Sequence, residues 1–272
     1  MERSQRWNEA SERARQDGIW GHDGDDDLDF PKHPSGPKGT SLAQVQRTVL
    51  AGRYRDGRPS PGADPFDITG GERSILAQYL LAIGRARRSI YIENQALEVP
   101  EIVTGLDEAL ERGVDVAVLV PAVPQERVRT ARRKPENRAF YDALAALRRH
   151  ERFILAGLAG PGAEGGRHRV YVHAKIMLVD DAWATIGSCN LHAGSLFSQT
   201  EMNVSFWDPP TVRALRCELF AEHLGQDTAA LDDRAALRMY RRVAQENRRK
   251  RDAGDADWQG LAFRLDPATY GE

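Results

Sequence analysis

Hydrophobic residues recur along the chain in two patterns, one typical of helices and one typical of strands. In residues 73–87 apolar side chains lie three or four positions apart, which predicts an amphipathic helix. Residues 114–120 form a nearly continuous apolar run, which is typical of a strand covered on both faces. Further strands are predicted at 42–50, 89–95, 153–158 and 200–207, and further helices at 101–112, 136–149, 211–224 and 228–249. Because helices alternate with strands, we expect an α/β fold with a mixed β-sheet flanked by helices on both faces.

A predicted β-hairpin in residues 170–187 adds polar side chains to this pattern. His173 and Lys175 are two positions apart, so on a strand their side chains lie on one face. The apolar residues that alternate with them are then expected to face the core. Asp180 begins the predicted turn, and residues 183–186 form the predicted returning strand. The hairpin therefore presents an imidazole and an ammonium group side by side.

Three further residues follow the returning strand. Gly187 and Ser188 allow the backbone to approach a ligand closely, and Asn190 adds a carboxamide. Together with His173 and Lys175, they bring an imidazole, an ammonium, a hydroxyl and an amide to a common point. These groups suit a tetrahedral oxyanion such as phosphate.

The spacing of these residues, HxKxxxxDxxxxxxGSxN, resembles the HKD motif of the phospholipase D superfamily. Residues 90–95, IYIENQ, are similar to the strand that begins the catalytic core of the C-terminal half of these enzymes. Residues 215–225, LRCELFAEHLG, are similar to the helix that follows the second motif. The resemblance covers approximately residues 41–226, and the remainder only weakly.

The resemblance implies a two-step phosphodiester reaction without a metal or other cofactor. One histidine attacks phosphorus and forms a phosphohistidine, and a second histidine protonates the leaving alkoxide and then activates the acceptor. In the C-terminal half this second role falls to the motif histidine, here His173. Lys175 and Asn190 would hold the phosphate oxygens in the transition state, and Ser188 would add a hydroxyl donor.

The resemblance also assigns supporting roles. Glu201 stands eleven residues after the motif asparagine, where these enzymes place a carboxylate, and we expect it to accept a hydrogen bond from the imidazole and fix its tautomer. Asp180 is expected to bind backbone amides or a basic side chain and to be structural. Asn94 and Gln95, like Gly187, are expected to contact substrate in the cleft.

Phospholipases D have two halves with one motif each, whereas none of the other histidines here has a lysine two residues later. Residues 5–10, QRWNEA, resemble the end of the helix that closes a first half. We therefore divide the chain into an N-terminal segment and linker at 1–40, which is the expected remnant of a missing first half, a catalytic half-domain at 41–226, and a C-terminal helix and tail at 227–272. The second motif is expected from a partner chain or a second copy.

The net charge of −2 indicates no global attraction to nucleic acid, although a local basic cleft remains compatible with it. The two cysteines form neither a disulfide framework nor a metal-ligand pattern. The N-terminus lacks the apolar region of a signal peptide, and no apolar run is long enough to span a membrane. We therefore expect a cytoplasmic location, although a preceding half would have carried any such signal, and a transient contact with a membrane surface.

Three functions follow from these observations. The first is a phospholipase D-like phosphodiesterase that hydrolyses or transfers phospholipid head groups. The second is a homodimeric single-motif endonuclease, which the net charge and the IYIENQ strand disfavour. The third is a non-catalytic remnant or binding subunit.

Overall fold

A computed structural model describes Gly36 and residues 39–53, 67–163 and 165–272. Among these residues, 36, 39–40, 49–53 and 67–72 belong to one unit, and 41–48, 73–163 and 165–272 belong to a second. In the described part of the first unit, the side chains of Val49 and Ile68 are buried together. The stretch 5–10, expected to be the end of a closing helix, lies outside the described residues.

The strands and helices, numbered in chain order, have the following bounds. The strands are β1 (Leu42–Val49), β2 (Glu72–Arg73), β3 (Ser89–Asn94), β4 (Asp115–Leu119), β5 (Phe153–Pro161), β6 (Arg167–Val170), β7 (Lys175–Val179), β8 (Trp183–Gly187), β9 (Glu201–Trp207) and β10 (Ala262–Leu265). The helices are α1 (Ser74–Arg85), α2 (Pro100–Glu111), α3 (Glu126–Arg132), α4 (Arg138–Ala146), α5 (Pro209–Leu224) and α6 (Asp233–Asp252). Among the helices of the described residues, none is long and apolar enough to cross a membrane.

The second unit is built on one sheet with the order β10-β5-β4-β3-β7-β8-β9-β1, and β6 pairs with β5 beside this path. In the centre of the sheet, β4 pairs parallel with β3 and with β5. The pairs β3–β7, β7–β8, β8–β9, β9–β1 and β5–β10 are antiparallel. Parallel pairing requires crossover connections, which α2 and the α3–α4 segment provide. The predicted mixed sheet is therefore confirmed.

Alternate residues of the central strands enter two separate hydrophobic cores. Ile90 and Ile92 pack in the core beneath α1, α2 and α4, whereas Tyr91 between them packs in the core beneath α5 and α6. All six residues of β3 and all five residues of β4 are buried. The sheet thus has helices on both faces, as the apolar run in residues 114–120 predicted.

Several short elements differ from the predicted ones. α3, β6 and β10 were not predicted, because a polar seven-residue helix and two four-residue strands carry too little periodicity. The helix predicted over 136–149 is α4 with a 3₁₀ turn at each end, Pro135–Asn137 and Leu147–Arg149. The glycine-rich sequence of residues 160–166 predicts a loop, whereas in the structure this stretch begins with the end of β5, which pairs with β6 in a hairpin.

The compact unit continues through residues 227–272, which the sequence assigned to a separate helix and tail. α6 contributes Tyr240 and Val243 to the core shared with α5, and β10 pairs with β5. Trp258 and Phe263 pack back onto the other core, with ring centroids 5.3 Å apart. The C-terminal segment therefore completes both the sheet edge and a helical layer.

Candidate functional site

The motif hairpin is formed by β7 and β8. Asp180 and Asp181 make the turn, with left-handed φ angles of 57° and 51°. His173 does not lie on the strand as predicted, because β7 begins at Lys175. The histidine precedes the strand and is exposed, whereas Lys175 is only 7% exposed. The two side chains therefore differ in burial although they are two residues apart.

The carboxylate of Asp180 binds the start of β3. Its Oδ1 accepts hydrogen bonds from the backbone amides of Arg88 and Ser89, both at 2.8 Å, and its Oδ2 accepts one from the Arg87 amide at 3.0 Å. In return the Asp180 amide donates to the Ser89 carbonyl at 3.1 Å. Asp180 thus holds the turn of the motif against the neighbouring strand, which is the kind of contact expected from the sequence.

Lys175 is a buried cation with neutral hydrogen-bond partners. Its Nζ donates to the His173 carbonyl at 2.7 Å and to Gln95 Oε1 at 3.4 Å. Burial lowers the pKa of Lys175, and the charge of nearby Glu201 opposes this shift. Within the described residues, no carboxylate forms a salt bridge with this ammonium group. An anionic ligand would therefore meet a partly desolvated positive charge.

Glu201, the first residue of β9, is held by two serine hydroxyls. Ser188 Oγ donates to Glu201 Oε2 at 2.5 Å, and Ser195 Oγ donates to Glu201 Oε1 at 2.6 Å. The expected hydrogen bond from the His173 imidazole to Glu201 is not present among the described residues. Both carboxylate oxygens already accept from hydroxyls, and the imidazole stacks instead on Tyr171, with ring centroids 6.3 Å apart.

Asn94 is positioned beneath the loop that carries Asn190. It is fully buried, its Oδ1 accepts from the Leu191 amide at 3.0 Å, and its Nδ2 donates to the Cys189 carbonyl at 3.3 Å. This position differs from the substrate contact expected from the sequence, because both polar groups of the side chain already bind backbone. Asn94 supports the loop rather than lining an open cleft.

Two further motif residues lie at the end of β8 and on the loop that follows it. At Gly187 a Cβ atom would come within 2.2 Å of Asn203 Oδ1 and 2.3 Å of the Met202 carbonyl, so only glycine fits against β9. The Oδ1 atom of Asn190 is buried and has no hydrogen-bond partner within the described residues. A buried acceptor without a partner costs free energy until a ligand or water donates a hydrogen bond to it.

Tyr171 is a site residue that the sequence reasoning missed. Its hydroxyl oxygen accepts hydrogen bonds from Gln95 Nε2 at 2.6 Å and Gln125 Nε2 at 2.7 Å. With two acceptor positions used, its O–H proton is directed elsewhere and can be donated. The signal was its position two residues before His173, on the same side of an extended segment. Gln125 had no such signal, because it comes from a distant loop.

Ser195 was also missed, because the sequence predicts a loop over residues 191–199, and His192 was considered only as an exposed loop histidine that flanks the motif. Part of that segment, Gly194–Ser198, is a π-helix. The Ser195 amide donates to His192 Nδ1 at 3.1 Å, and the Ser195 side chain is fully buried on Glu201. Burial lowers the pKa of His192, and the positive charge of Arg127 adds to this shift. π-helical turns are frequent at functional sites, but their sequences carry no distinctive pattern.

A second group of titratable side chains is buried between β3 and the helices α5 and α6. Tyr91 donates to Glu93 Oε1 at 2.9 Å, and its hydroxyl oxygen lies 3.0 Å from His223 Nδ1. Burial raises the pKa of Glu93 to about 7, against the opposing effect of the Tyr91 hydrogen bond, and burial lowers the pKa of His223 to about 4. Both shifts favour the neutral forms of these groups.

Glu93→Gln is expected to increase stability relative to the wild type, and the increase should be larger at pH 8 than at pH 5. In the wild type, the unfolded state loses the Glu93 proton near its ordinary pKa of about 4.3, whereas the folded state retains it up to about pH 7. Stability therefore falls across this window, and the penalty persists above it. Urea unfolding of both proteins at pH 5 and pH 8 measures the difference. Parallel pH dependence in the two proteins would contradict the assignment.

The family model described as "Cardiolipin synthase, PLD-like domain" matches residues 79–223. Cardiolipin synthase 2 of Bacillus anthracis is 27% identical over 179 residues, which cover 65% of this chain and 31% of the relative. Phospholipase D zeta 2 of Arabidopsis thaliana is 32% identical over 189 residues, covering 59% of this chain and 18% of the relative. The chain thus spans about a third or less of the length of these relatives.

Two solved structures are similar to the chain at low sequence identity. The phospholipase D family member Nuc from Salmonella typhimurium aligns with a TM-score of 0.41 at 20% identity, over 65% of this chain and 90% of that structure. NucT from Helicobacter pylori aligns with a TM-score of 0.42 at 16% identity, over 64% of this chain and 92% of that structure. The family assignment comes from the family model, whose match covers more than half of the 272 residues. The chain belongs to the phospholipase D superfamily.

Proposed function

We propose that the chain is one catalytic half of a phosphodiesterase that acts on phospholipid head-group diesters, by hydrolysis or by transfer to an acceptor alcohol. The observation that carries this proposal is the buried ammonium of Lys175. It lies beside His173, and its hydrogen-bond partners in the described residues are neutral oxygens. A phosphate oxygen would supply the missing negative charge. Since the buried Oδ1 atom of Asn190 is an acceptor, any contact of Asn190 with the same group would come from its Nδ2 donors.

In the proposed reaction, His173 is the general acid and base. A histidine from a second HKD motif attacks phosphorus, the bond from phosphorus to the head-group oxygen breaks, and His173 gives its proton to the leaving alkoxide. His173 then takes a proton from water or an acceptor alcohol, which attacks phosphorus and releases the first histidine. Lys175 and Asn190 stabilise the charge that develops on the non-bridging oxygens.

A second HKD-bearing half is therefore part of the proposal. This chain contains one motif, and it spans about a third or less of the curated relatives that it matches. A partner chain or a second copy would supply the nucleophile. In a symmetric dimer, one copy of His173 would attack phosphorus while the other acts as acid and base.

Glu201→Gln is expected to lower activity by about 10- to 100-fold, the usual effect of losing a group that orients a site residue. A carboxamide has a single acceptor oxygen, so the hydroxyls of Ser188 and Ser195 cannot both keep their acceptors. Loss of the charge also removes the effect that raises the pKa of Lys175. The alkaline limb of the rate profile should therefore move to lower pH, as Lys175 loses its proton earlier.

Steady-state rates from pH 6 to pH 10 check this expectation, with the exposed α5 residue Glu218 changed to glutamine as the matched control. A rate loss without a shift of the alkaline limb would indicate that Glu201 supports the structure of the site and does not affect the ionisation of Lys175 during the reaction. An unchanged rate would remove it from the site altogether.

The substrate class is tested by incubating the purified chain with phosphatidylcholine and, separately, with single-stranded DNA. Release of choline, or transfer of the phosphatidyl group to glycerol, is the expected result. Faster cleavage of the DNA would favour the single-motif endonuclease instead. A strict monomer by light scattering, inactive on both substrates, would indicate a binding subunit or a non-catalytic remnant.

A further inference from the structure

A cavity of about 400 Å³ lies apart from the motif hairpin, between α3, β6, the C-terminal end of α6 and the last residues of the chain. Four arginine side chains from three elements line it: Arg129, Arg169, Arg248 and Arg251. Its two acidic lining residues are Asp266 and Glu272. The basic run at the end of α6, which complements the helix dipole, is therefore one wall of an arginine cavity.

The positive charges of this arginine cavity are only partly neutralised. Arg248 pairs with Asp252 at 2.7 Å, and Arg129 lies 3.3 Å from Glu126. Arg169 and Arg251, in contrast, form no salt bridge with any described residue. Burial lowers the pKa of Arg251, and repulsion by Arg248 and Arg169 adds to the shift. Two exposed guanidinium groups therefore line the cavity without a salt bridge to a described carboxylate, although the charge of Asp252 acts on Arg251 and opposes its pKa shift.

The arginine cavity lies next to the candidate site along the chain. Pro124 lines it and immediately precedes Gln125, which donates to the Tyr171 hydroxyl. Arg169 is two residues before Tyr171, so about 7 Å of extended chain separates them. A ligand in the cavity is therefore bound near the residues that flank His173.

We propose that the arginine cavity binds the phosphate group of a phosphate ester, at a site distinct from the motif site formed by His173, Lys175 and Asn190. Guanidinium groups match phosphate oxygens with paired hydrogen bonds, and several converging arginines are the usual solution for a multiply charged oxyanion. The volume accommodates a phosphate with a small alcohol substituent. A soluble phosphate monoester and an anionic lipid head group share this chemistry.

The test measures binding of sn-glycerol 3-phosphate to the full chain by calorimetry, and sedimentation of the chain with vesicles of phosphatidylglycerol in phosphatidylcholine. The double variant Arg169→Gln/Arg251→Gln removes the two unpaired charges. The matched control is Arg138→Gln/Arg242→Gln, since both of these arginines are exposed and neither lines the cavity. Lys175→Gln identifies any binding that occurs at the motif site instead of the arginine cavity. Circular dichroism verifies that each variant is folded.

The expected result is at least a tenfold weaker affinity in the cavity variant, less than a twofold change in the control, and a smaller loss in Lys175→Gln than in the cavity variant. Loss of the soluble ester alone identifies a free phosphate ester as the ligand, and loss of vesicle binding identifies a lipid head group. Equal losses in the two arginine pairs would overturn the proposal in favour of diffuse attraction. So would loss of all binding in Lys175→Gln, or tighter binding of a single-stranded oligonucleotide through the same arginines.

Discussion

His173→Asn is expected to lower the rate of phosphodiester hydrolysis or transfer by about 10³-fold or more, because positioned acid–base catalysis alone contributes about 10²- to 10⁴-fold. Asparagine retains a side chain of similar polarity but cannot exchange a proton near neutral pH. The fold should be little affected, since His173 is exposed and its ring makes no hydrogen bond within the described residues. The variant should therefore lose activity while it keeps the stability of the wild type.

Choline release from phosphatidylcholine checks the expectation. The wild type and the variant are assayed under the same conditions, with the same second HKD-bearing chain if the wild type requires one. His168→Asn is the matched control, because His168 is an exposed histidine on β6 of the same unit. Equal rates for the wild type and His173→Asn would exclude catalysis by this motif. A similar loss of activity in His168→Asn would show that replacing any exposed histidine lowers the rate, and not the motif histidine in particular.

Much of the fold was predictable from the sequence, because its central strands carry a strong local signal. A run such as residues 114–120 is apolar throughout only when both faces of the strand are covered, and β4 is buried on both. β10 was not predictable in the same way. Its four residues form a strand because β5 offers an unpaired edge, and that edge exists only after the sheet has assembled.

The candidate site was predictable only as far as its residues lie on one continuous hairpin. The motif spacing predicts that Lys175, Ser188 and Asn190 lie close together, because hairpin register follows directly from the turn. The partner of Glu201 was not predictable, since Ser195 reaches it through a π-helical turn with no sequence signature. The arginine cavity depends on tertiary packing of α3, β6 and α6, which no local pattern indicates.

Asp180→Ala is expected to destabilise the folded chain by about 2–4 kcal/mol, from lost charge-assisted hydrogen bonds and from a left-handed backbone that alanine adopts poorly. Three backbone amides of residues 87–89 lose their acceptor, and the Ser89 amide is partly buried. The φ of 57° at this position suits aspartate and asparagine better than alanine. Urea unfolding of the variant measures the loss.

Two further variants separate these causes. Asp180→Asn keeps the left-handed backbone and one acceptor oxygen, so its loss should be the smallest, and Asp180→Gly, which relieves the backbone but removes both oxygens, should lie between asparagine and alanine. Because the carboxylate binds amides at the start of β3, folded Asp180→Asn should retain activity within about fivefold, roughly 1 kcal/mol in barrier. A stable Asp180→Asn protein without activity would contradict this, and it would assign the motif aspartate a part in the chemistry rather than in holding the hairpin to β3.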